Sequence, residues 1–168
     1  MLHQNILDER IWKTCVNSMP IFGIDMIIFS KKSGVLMGRR VNNPAKDKLF
    51  VPGGRVYKNE RMIDAYNRIL LSETGLTFPF VKTTSLGLHE HFYDVTSWSN
   101  TECSTHYIVE GRLIEIEREH LKPKIDLTSQ HSNCKWIPIE SINLKDIHSY
   151  SKIYLNKVKD LKDNQIKS

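Results

Sequence analysis

Apolar and polar positions follow two rhythms along this chain, one helical and one extended, and their alternation predicts the order of elements. Leu7, Ile11, Trp12, Cys15 and Val16 recur at helical spacing, which predicts an amphipathic helix from about Asp8 to Ser18, ended by Pro20. Ile21 to Phe29 is dense in Ile and Phe and reads as a strand. It turns through Lys31 to Gly34 into a second strand, Val35 to Arg40, so a hairpin is expected. Polar Val41 to Lys48 reads as a loop that returns through Leu49, Phe50 and Val51 to a sharp Pro52-Gly53-Gly54 turn. Beyond it, Met62, Tyr66 and Ile69, with Ala65 at the edge, form the apolar stripe of a helix that Asn59 is expected to cap and Gly75 to close. Phe80 to Asp94 reads as extended, Thr96 to Thr101 as a loop tip and Thr105 to Ile116 as a long strand. A hydrophilic connection from Glu117 to Ser129 leads to a short strand, Asn133 to Ile137, anchored by Trp136. A last helix from about His148 to Leu161 has Tyr150, Ile153, Tyr154, Val158 and Leu161 on one face. Such an order is that of an α/β sandwich.

One residue breaks the pattern. Glu73 falls in the middle of the stripe of the second helix, where burial disfavours a charge, and in its last turn, where the helix dipole disfavours a negative one. Either a cation answers it or the helix end lets it fray into solvent.

Composition narrows the class without naming a chemistry. At 168 residues, 40% hydrophobic and 26% charged, the chain reads as one globular domain spanning residues 1–168, able to bury a core without disulfides or structural metal. Its longest apolar run is far short of a membrane span, and MLHQNILDERIWKT has no signal-peptide core, so a cytoplasmic location is the default expectation. The net charge of +5 suits an anionic ligand such as a phosphate ester. Much of that excess sits at Lys152, Lys157, Lys159, Lys162 and Lys167, interspersed with Asp160 and Asp163, the pattern of a solvated helix face. Neither nucleic acid nor a membrane is expected as a partner. Cys15, Cys103 and Cys134 show no Cys-x-x-Cys pair and read as plain thiols.

Few residues carry chemistry on spacing alone. His89 and His91 share a strand face, and His106 could join them in a three-histidine zinc site, although a polar sheet face is the simpler reading. Gln130-His131, where the hydrophilic connection meets the last strand, is by itself an ordinary polar dipeptide. Trp12 and Tyr93 could stack on a purine or lie in the core. Glu60 and Arg68, eight apart, read as an ion pair holding loop to helix.

The spacing of Gly54, Glu60, Arg68, Glu73, Gly75 and Leu76 resembles the Nudix box, Gly-x5-Glu-x7-Arg-Glu-apolar-x-Glu-Glu-x-Gly-apolar. Two positions depart from it: Ile69 and Ser72 stand where the family has carboxylates. Further stretches resemble the GDP-mannose mannosyl hydrolase branch of that superfamily. They are IDMII with Asp25, GRRVNNPA with Arg40, LFVPGGRV with Arg55, HFYD from His91 to Asp94, STHYIV with Tyr107, and SQH ending in His131. That branch shares the thinned box and attacks sugar carbon with inversion, where typical Nudix enzymes attack phosphorus. The resemblance implies a mixed β-sheet clasped between helices in an α/β/α sandwich, a GDP-sugar substrate (GDP-mannose or GDP-glucose) and a homodimer in surface-polysaccharide metabolism. It also implies Mg2+, with Mn2+ as a substitute, held by the Gly53 carbonyl, Glu73 and Gln130; hard oxygen donors of this kind suit magnesium. His131 is then the general base, Arg40 and Arg55 neutralise the departing diphosphate, His91 and Tyr107 hydrogen-bond its oxygens, and Asp25 lies near the sugar. Two alternatives stay open: a pyrophosphohydrolase attacking phosphorus, and a silent Nudix-fold binding module.

Overall fold

The ten-residue strand β1 (Ile21–Ser30) is buried at every position but Phe22, and its near-continuous apolar run reflects cover on both faces. In the computed structural model, which describes residues 7–41, 45–94, 104–117 and 131–166 (only the backbone at 131–133 and 165–166), this strand organises the sheet. β1 runs parallel to β6 (Thr105–Glu115) from Ile21 opposite Tyr107 to Phe29 opposite Glu115. Its other edge is shared. β2 (Gly34–Arg40) pairs with β1 only beside the turn, at Phe29 and Ser30, while β4 (Gly53–Arg55) takes Gly23 to Asp25. The expected hairpin therefore closes at its turn and then splays. Freed from β1, β2 pairs with β3 (Leu49–Phe50) and with β7 (His131–Ile137), and β5 (Thr84–Tyr93) lies antiparallel on β6 as an edge. The product is a mixed seven-stranded sheet, ordered β3-β2-β1-β6-β5 along its main path.

Helices cover the two faces, as expected from the pattern. α2 (Met62–Thr74) buries Ala65, Tyr66, Ile69 and Leu70 against Ile24, Met26, Ile28, Leu36 and Ile114. On the opposite face, α3 (Ser149–Ile166) buries Tyr154, Leu155 and Val158 against Ile27, Phe29, Met37 and Leu113. α1 (Glu9–Ser18), capped by Asp8 accepting from the Ile11 amide, packs Trp12 and Val16 on Ile21 and Tyr107, so its apolar face covers its own sheet. At roughly 1.5–3 kcal/mol per large apolar side chain taken from water, these two helix–sheet layers supply most of the driving force.

Several boundaries differ from the sequence expectation. α2 starts at Met62, because Asn59 sits in the left-handed region (φ 64°) of a turn in which the Glu60 amide donates to the Tyr57 carbonyl. The segment after α2 begins with a 3-10 turn, Phe80–Lys82, and β7 begins two residues early, at His131. On α3, Ile153 and Leu161 are exposed while Ser151 and Leu155 are buried, so the covered face is rotated from the expected one. Its lysines are not merely solvated: Lys157 donates to the Leu86 carbonyl at 2.5 Å, and Lys162 bonds Glu115. α3 also reaches the edge of β5 that no other described strand pairs with, where the Tyr150 hydroxyl accepts from the Phe92 amide (2.7 Å) and donates to the Phe92 carbonyl (3.0 Å). The predicted loop tip at 96–101, most of the connection at 117–129, and Cys103 lie outside the described residues. No helix among the described residues is long and apolar enough to cross a membrane.

Candidate active site

In place of the expected sharp turn, Gly53 and Gly54 open strand β4 and are held by their neighbours on both sides. A side chain at Gly54 would meet Ile69 Cγ1 at 3.1 Å, so β4 lies directly on α2. The predicted ion pair closes the following loop. Arg68 donates through Nε to Glu60 Oε1 (2.7 Å) and through Nη2 to Glu60 Oε2 (2.8 Å) and to the Arg55 carbonyl (2.9 Å). Glu60 also accepts from the Tyr57 amide, and the Arg68 guanidinium lies 3.8 Å over the Tyr57 ring. Arg68 thereby holds the Glu60 carboxyl below the usual carboxylate range and anchors the strand that presents Arg55.

The α2 face beneath β4 offers a single carboxylate, Asp64 being exposed in the first turn of the helix. Ile69 is buried, and Ser72 donates to the Ile69 carbonyl at 3.2 Å. Glu73, half-buried, ends the helix just before Gly75, whose left-handed conformation (φ 69°) and amide bond to the Leu71 carbonyl stop it as predicted. Its charge reaches Cys134 of β7: burial and the Glu73 charge push that thiol up to about 11, so it stays protonated. Glu73 and the Gly53 carbonyl are oxygen donors that fit a hard cation and leave positions for water and substrate, whereas a protonated thiol offers a soft metal little. Among the described residues no three His, Cys, Asp or Glu side chains gather as a metal cluster. Gln130 lies outside the described residues; His131 opens β7 with its backbone opposite Arg40.

Across the sheet from Glu73, the other selected residues converge. Asp25 is 7% exposed, so its solvent-facing alternative is not what the fold adopts. Burial pushes its carboxyl up to about 7 against the opposing pull of a Tyr154 hydrogen bond (2.9 Å) and of Arg40. Arg40 also acts on Tyr93, Tyr107 and His148, and Arg55 on Tyr107, so two guanidinium groups flank one half-buried phenol. Arg55 lies 4.7 Å over the Trp12 ring, which occupies a face that a purine would need. Tyr93 meets Tyr107 edge-on (6.1 Å between centroids), as it does His91 (6.4 Å).

His91 is 2% exposed, and burial with the nearby His89 and His148 holds it at about 4, neutral near pH 7. Its Nε2 is buried and has no hydrogen-bond partner among the described residues. Such an atom is costly unless a ligand or water meets it. Tyr150 stacks on its ring at 4.0 Å and 8°. His148, whose Nδ1 accepts from the Tyr150 amide (3.3 Å), completes the cluster 5.3 Å from Phe50.

The three-histidine zinc site does not form. His106 pairs opposite Phe92 and stacks on it at 4.4 Å, with Glu90 at 3.7 Å, so it points to the face away from His91. His89 shares the α3 side with His91, against Tyr154 and Lys157. Three contributors escaped the sequence reading: His148, just before α3, and Tyr150 and Tyr154 on it. Their only signal was two tyrosines one turn apart on an apolar face, whose hydroxyls must find partners once buried.

Residues 19–157 match the NUDIX domain family. The chain is 32% identical over 145 residues to the low-salt glycan biosynthesis protein Agl8 of Haloferax volcanii, covering 86% of each chain. Its fold is similar to that of a MutT NUDIX hydrolase from Burkholderia pseudomallei (TM-score 0.66, 18% identity, 83% of this chain and 98% of that one). It is similar also to the NUDIX domain of Shewanella oneidensis NrtR solved with ADP ribose (TM-score 0.64, 13% identity, 92% of this chain and 98% of that one).

Proposed function

The chain belongs to the NUDIX family of hydrolases, and from that premise we propose that it hydrolyses a GDP-sugar, GDP-mannose or GDP-glucose, to GDP and free sugar. Members of the family act on nucleoside diphosphates linked to a further group. The observation that carries the finer reading is the lone carboxylate, Glu73, in the C-terminal half of α2. With Ile69 buried under Gly54 and Ser72 bonded to the helix backbone, Glu73 alone remains of the acidic cluster, and the other carboxylate of the helix, Asp64, is exposed in its first turn, about two and a half turns away, so no second carboxylate stands beside Glu73 to serve as base. The base must come from elsewhere, and His131, whose backbone lies opposite Arg40, is the proposed one. The name of the Haloferax relative, a glycan biosynthesis protein, supports a sugar as the linked group.

In this reading Mg2+ is held by Glu73, the Gly53 carbonyl and Gln130, and when bound it supplies charge neutralisation to the diphosphate. Arg40 and Arg55 flank that leaving group, since planar guanidinium donors match phosphate oxygens in pairs. Tyr107 donates to a phosphate oxygen between them, and neutral His91 offers its unpartnered Nε2 as one further hydrogen-bonding atom. Asp25 stands beside the sugar, where a carboxylate stabilises positive charge as the bond to the leaving oxygen breaks. Water attacks the anomeric carbon, the carbon–oxygen bond breaks with its electron pair leaving on GDP, and His131 takes the water proton. Tyr93 lines the sugar side, and Trp12 orients Arg55 beneath the nucleotide. A homodimer is part of the same proposal.

Hydrolysis of GDP-mannose with Mg2+ in heavy-oxygen water tests this. The label is expected in mannose. Label in phosphate would replace carbon attack by phosphorus attack, and no turnover of any nucleotide sugar would leave a binding module.

A further inference from the structure

Asp25 is flanked by glycine on both sides: Gly53 stands opposite it on β4 and Gly111 opposite it on β6. Neither glycine is explained by a turn. A Cβ at Gly53 would run into Asp25 Oδ1 and lie 2.9 Å from the Ile24 carbonyl, and one at Gly111 would lie 2.7 Å from Tyr154 Cε1 and 3.2 Å from its Cδ1. Each missing side chain makes a hole for a different member of one pair. Gly53 admits the carboxylate, and Gly111 admits the tyrosine ring whose hydroxyl donates to Asp25 Oδ2 at 2.9 Å. Tyr154 itself is fully buried, three residues above the first buried turn of α3.

Packing alone does not ask for this arrangement. Leu155 and Val158 already seat α3 on Ile27, Leu113 and their neighbours, and a smaller apolar residue at 154 would serve with an ordinary side chain at 111. What the glycine hole and the phenol add is a donor delivered through the core onto one oxygen of Asp25. With Oδ2 taken, Oδ1 is directed onto Gly53, in the strand that carries Arg55 and leads to the box. A carboxylate near a reacting sugar works only in a narrow range of orientation, and a short side chain on a strand has one torsion pair to fix.

We propose that Tyr154 is a positioning residue for the reaction: through its hydroxyl it sets the orientation in which the Asp25 carboxylate meets the sugar. This rests on the GDP-sugar reading above. It acts through Asp25 and touches no substrate.

The test is a double-mutant cycle in steady-state turnover of GDP-mannose with Mg2+, using Tyr154→Phe, Asp25→Asn and the pair, with thermal unfolding of each recorded beforehand. Tyr154→Phe is expected to lower kcat about 10-fold or more with KM within threefold, the size of losing one hydrogen bond to a charged group. In the Asp25→Asn background the same change is expected to have no further effect on kcat, since residues acting as a unit are non-additive. A purely structural tyrosine would lower the melting temperature and leave kcat alone. A Tyr154→Phe kcat within twofold of wild type, or full additivity in the cycle, overturns the inference. Should Tyr154→Phe not fold, para-aminophenylalanine at 154 keeps the volume and a weaker donor. Its kcat is expected to be reduced, with the reduction absent beside Asp25→Asn, and an unchanged kcat overturns the inference equally. Wild-type protein that turns over no nucleotide sugar removes the parent reading and this inference together, whereas a fully active wild type with an indifferent Tyr154 removes this inference alone.

Discussion

Replacing Arg68 by methionine keeps the aliphatic bulk and removes the guanidinium that latches the box loop to α2. Three donated hydrogen bonds disappear, two to Glu60 and one to the Arg55 carbonyl, together with the stack on Tyr57. The pair is neither fully exposed nor deeply buried: the side chains keep 27% and 15% of their accessibility. A surface pair of this kind contributes about 0–1 kcal/mol and a broken buried one about 3–5, so burial argues for a value between them. Adding about 0.5–1 kcal/mol for the partly desolvated cation–π contact gives a loss of about 3 kcal/mol. For a chain of this size each kcal/mol moves the melting temperature by roughly 2–4 °C, so a fall of about 6–12 °C is expected. Calorimetry of apo protein at pH 7 reads it directly. The pH dependence supplies a sign. Because Arg68 lowers the Glu60 pKa, the pair stabilises above the ordinary carboxylate value and loses that effect as pH falls through the lowered folded value, so wild type and variant converge in acid. Glu60→Gln in the Arg68→Met background should cost little more than Arg68→Met alone. A melting temperature within 2 °C of wild type would refute the latch.

Three further outcomes follow from other parts of the molecule. His131→Gln is expected to lower kcat on a GDP-sugar by about 10²-fold, as for loss of a general base, and near wild-type kcat would remove that role. Two buried groups should tilt apo stability in opposite directions with pH. The His91 pKa is lowered to about 4, so its contribution is lost as pH falls from its ordinary value of 6.5 toward 4; the Asp25 pKa is raised from 3.8 to about 7, so its contribution is present below about 4 and lost as pH rises through 7. Denaturant titrations should therefore show His91→Gln flattening the loss between pH 6 and 4 and Asp25→Asn gaining on wild type as pH rises from about 4 to 7; parallel curves across those windows would contradict both. Gly75→Ala places a side chain at φ 69° and should cost about 1 kcal/mol, with an unchanged melting temperature as the contrary result.

What the sequence disclosed, and what it withheld, divides along local and non-local lines. The stop of α1 at Ser18, the Gly75 stop of α2 and the Glu60–Arg68 pair depend on residues within a few turns of each other, and their spacing carried them. Asn59 was misjudged because Asn serves equally as an N-cap and in a left-handed turn, and only the Tyr57–Glu60 hydrogen bonds choose between them. The partners of Asp25 could not be read, since a glycine at 111 and a tyrosine at 154 acquire meaning only once the parallel β1–β6 register sets Gly111 beside Asp25. The imagined zinc site failed for the same reason: strand alternation placed His89 and His91 together, and only the β5–β6 register puts His106 on the reverse face. The splaying of β2 from β1, invisible in a pattern that reads as a plain hairpin, opens the edge into which the box strand β4 inserts.

The reach of α3 to the margin of the sheet bears on how copies of this protein can meet. β5 is a long edge strand that exposes Leu88 and Phe92, a combination that invites another chain to add itself by backbone pairing. Near its far end the Tyr150 hydroxyl occupies both the amide and the carbonyl of Phe92, and near its start Lys157 occupies the Leu86 carbonyl beside a break in the strand register between Ser85 and Leu88. The C-terminal helix thus acts as a gatekeeper against aggregation: an incoming strand would have to displace these side chains before it could extend the sheet. Truncating α3 would be expected to cost colloidal as well as thermodynamic stability, and self-association of the intact chain is steered toward side-chain surfaces and away from this β-edge.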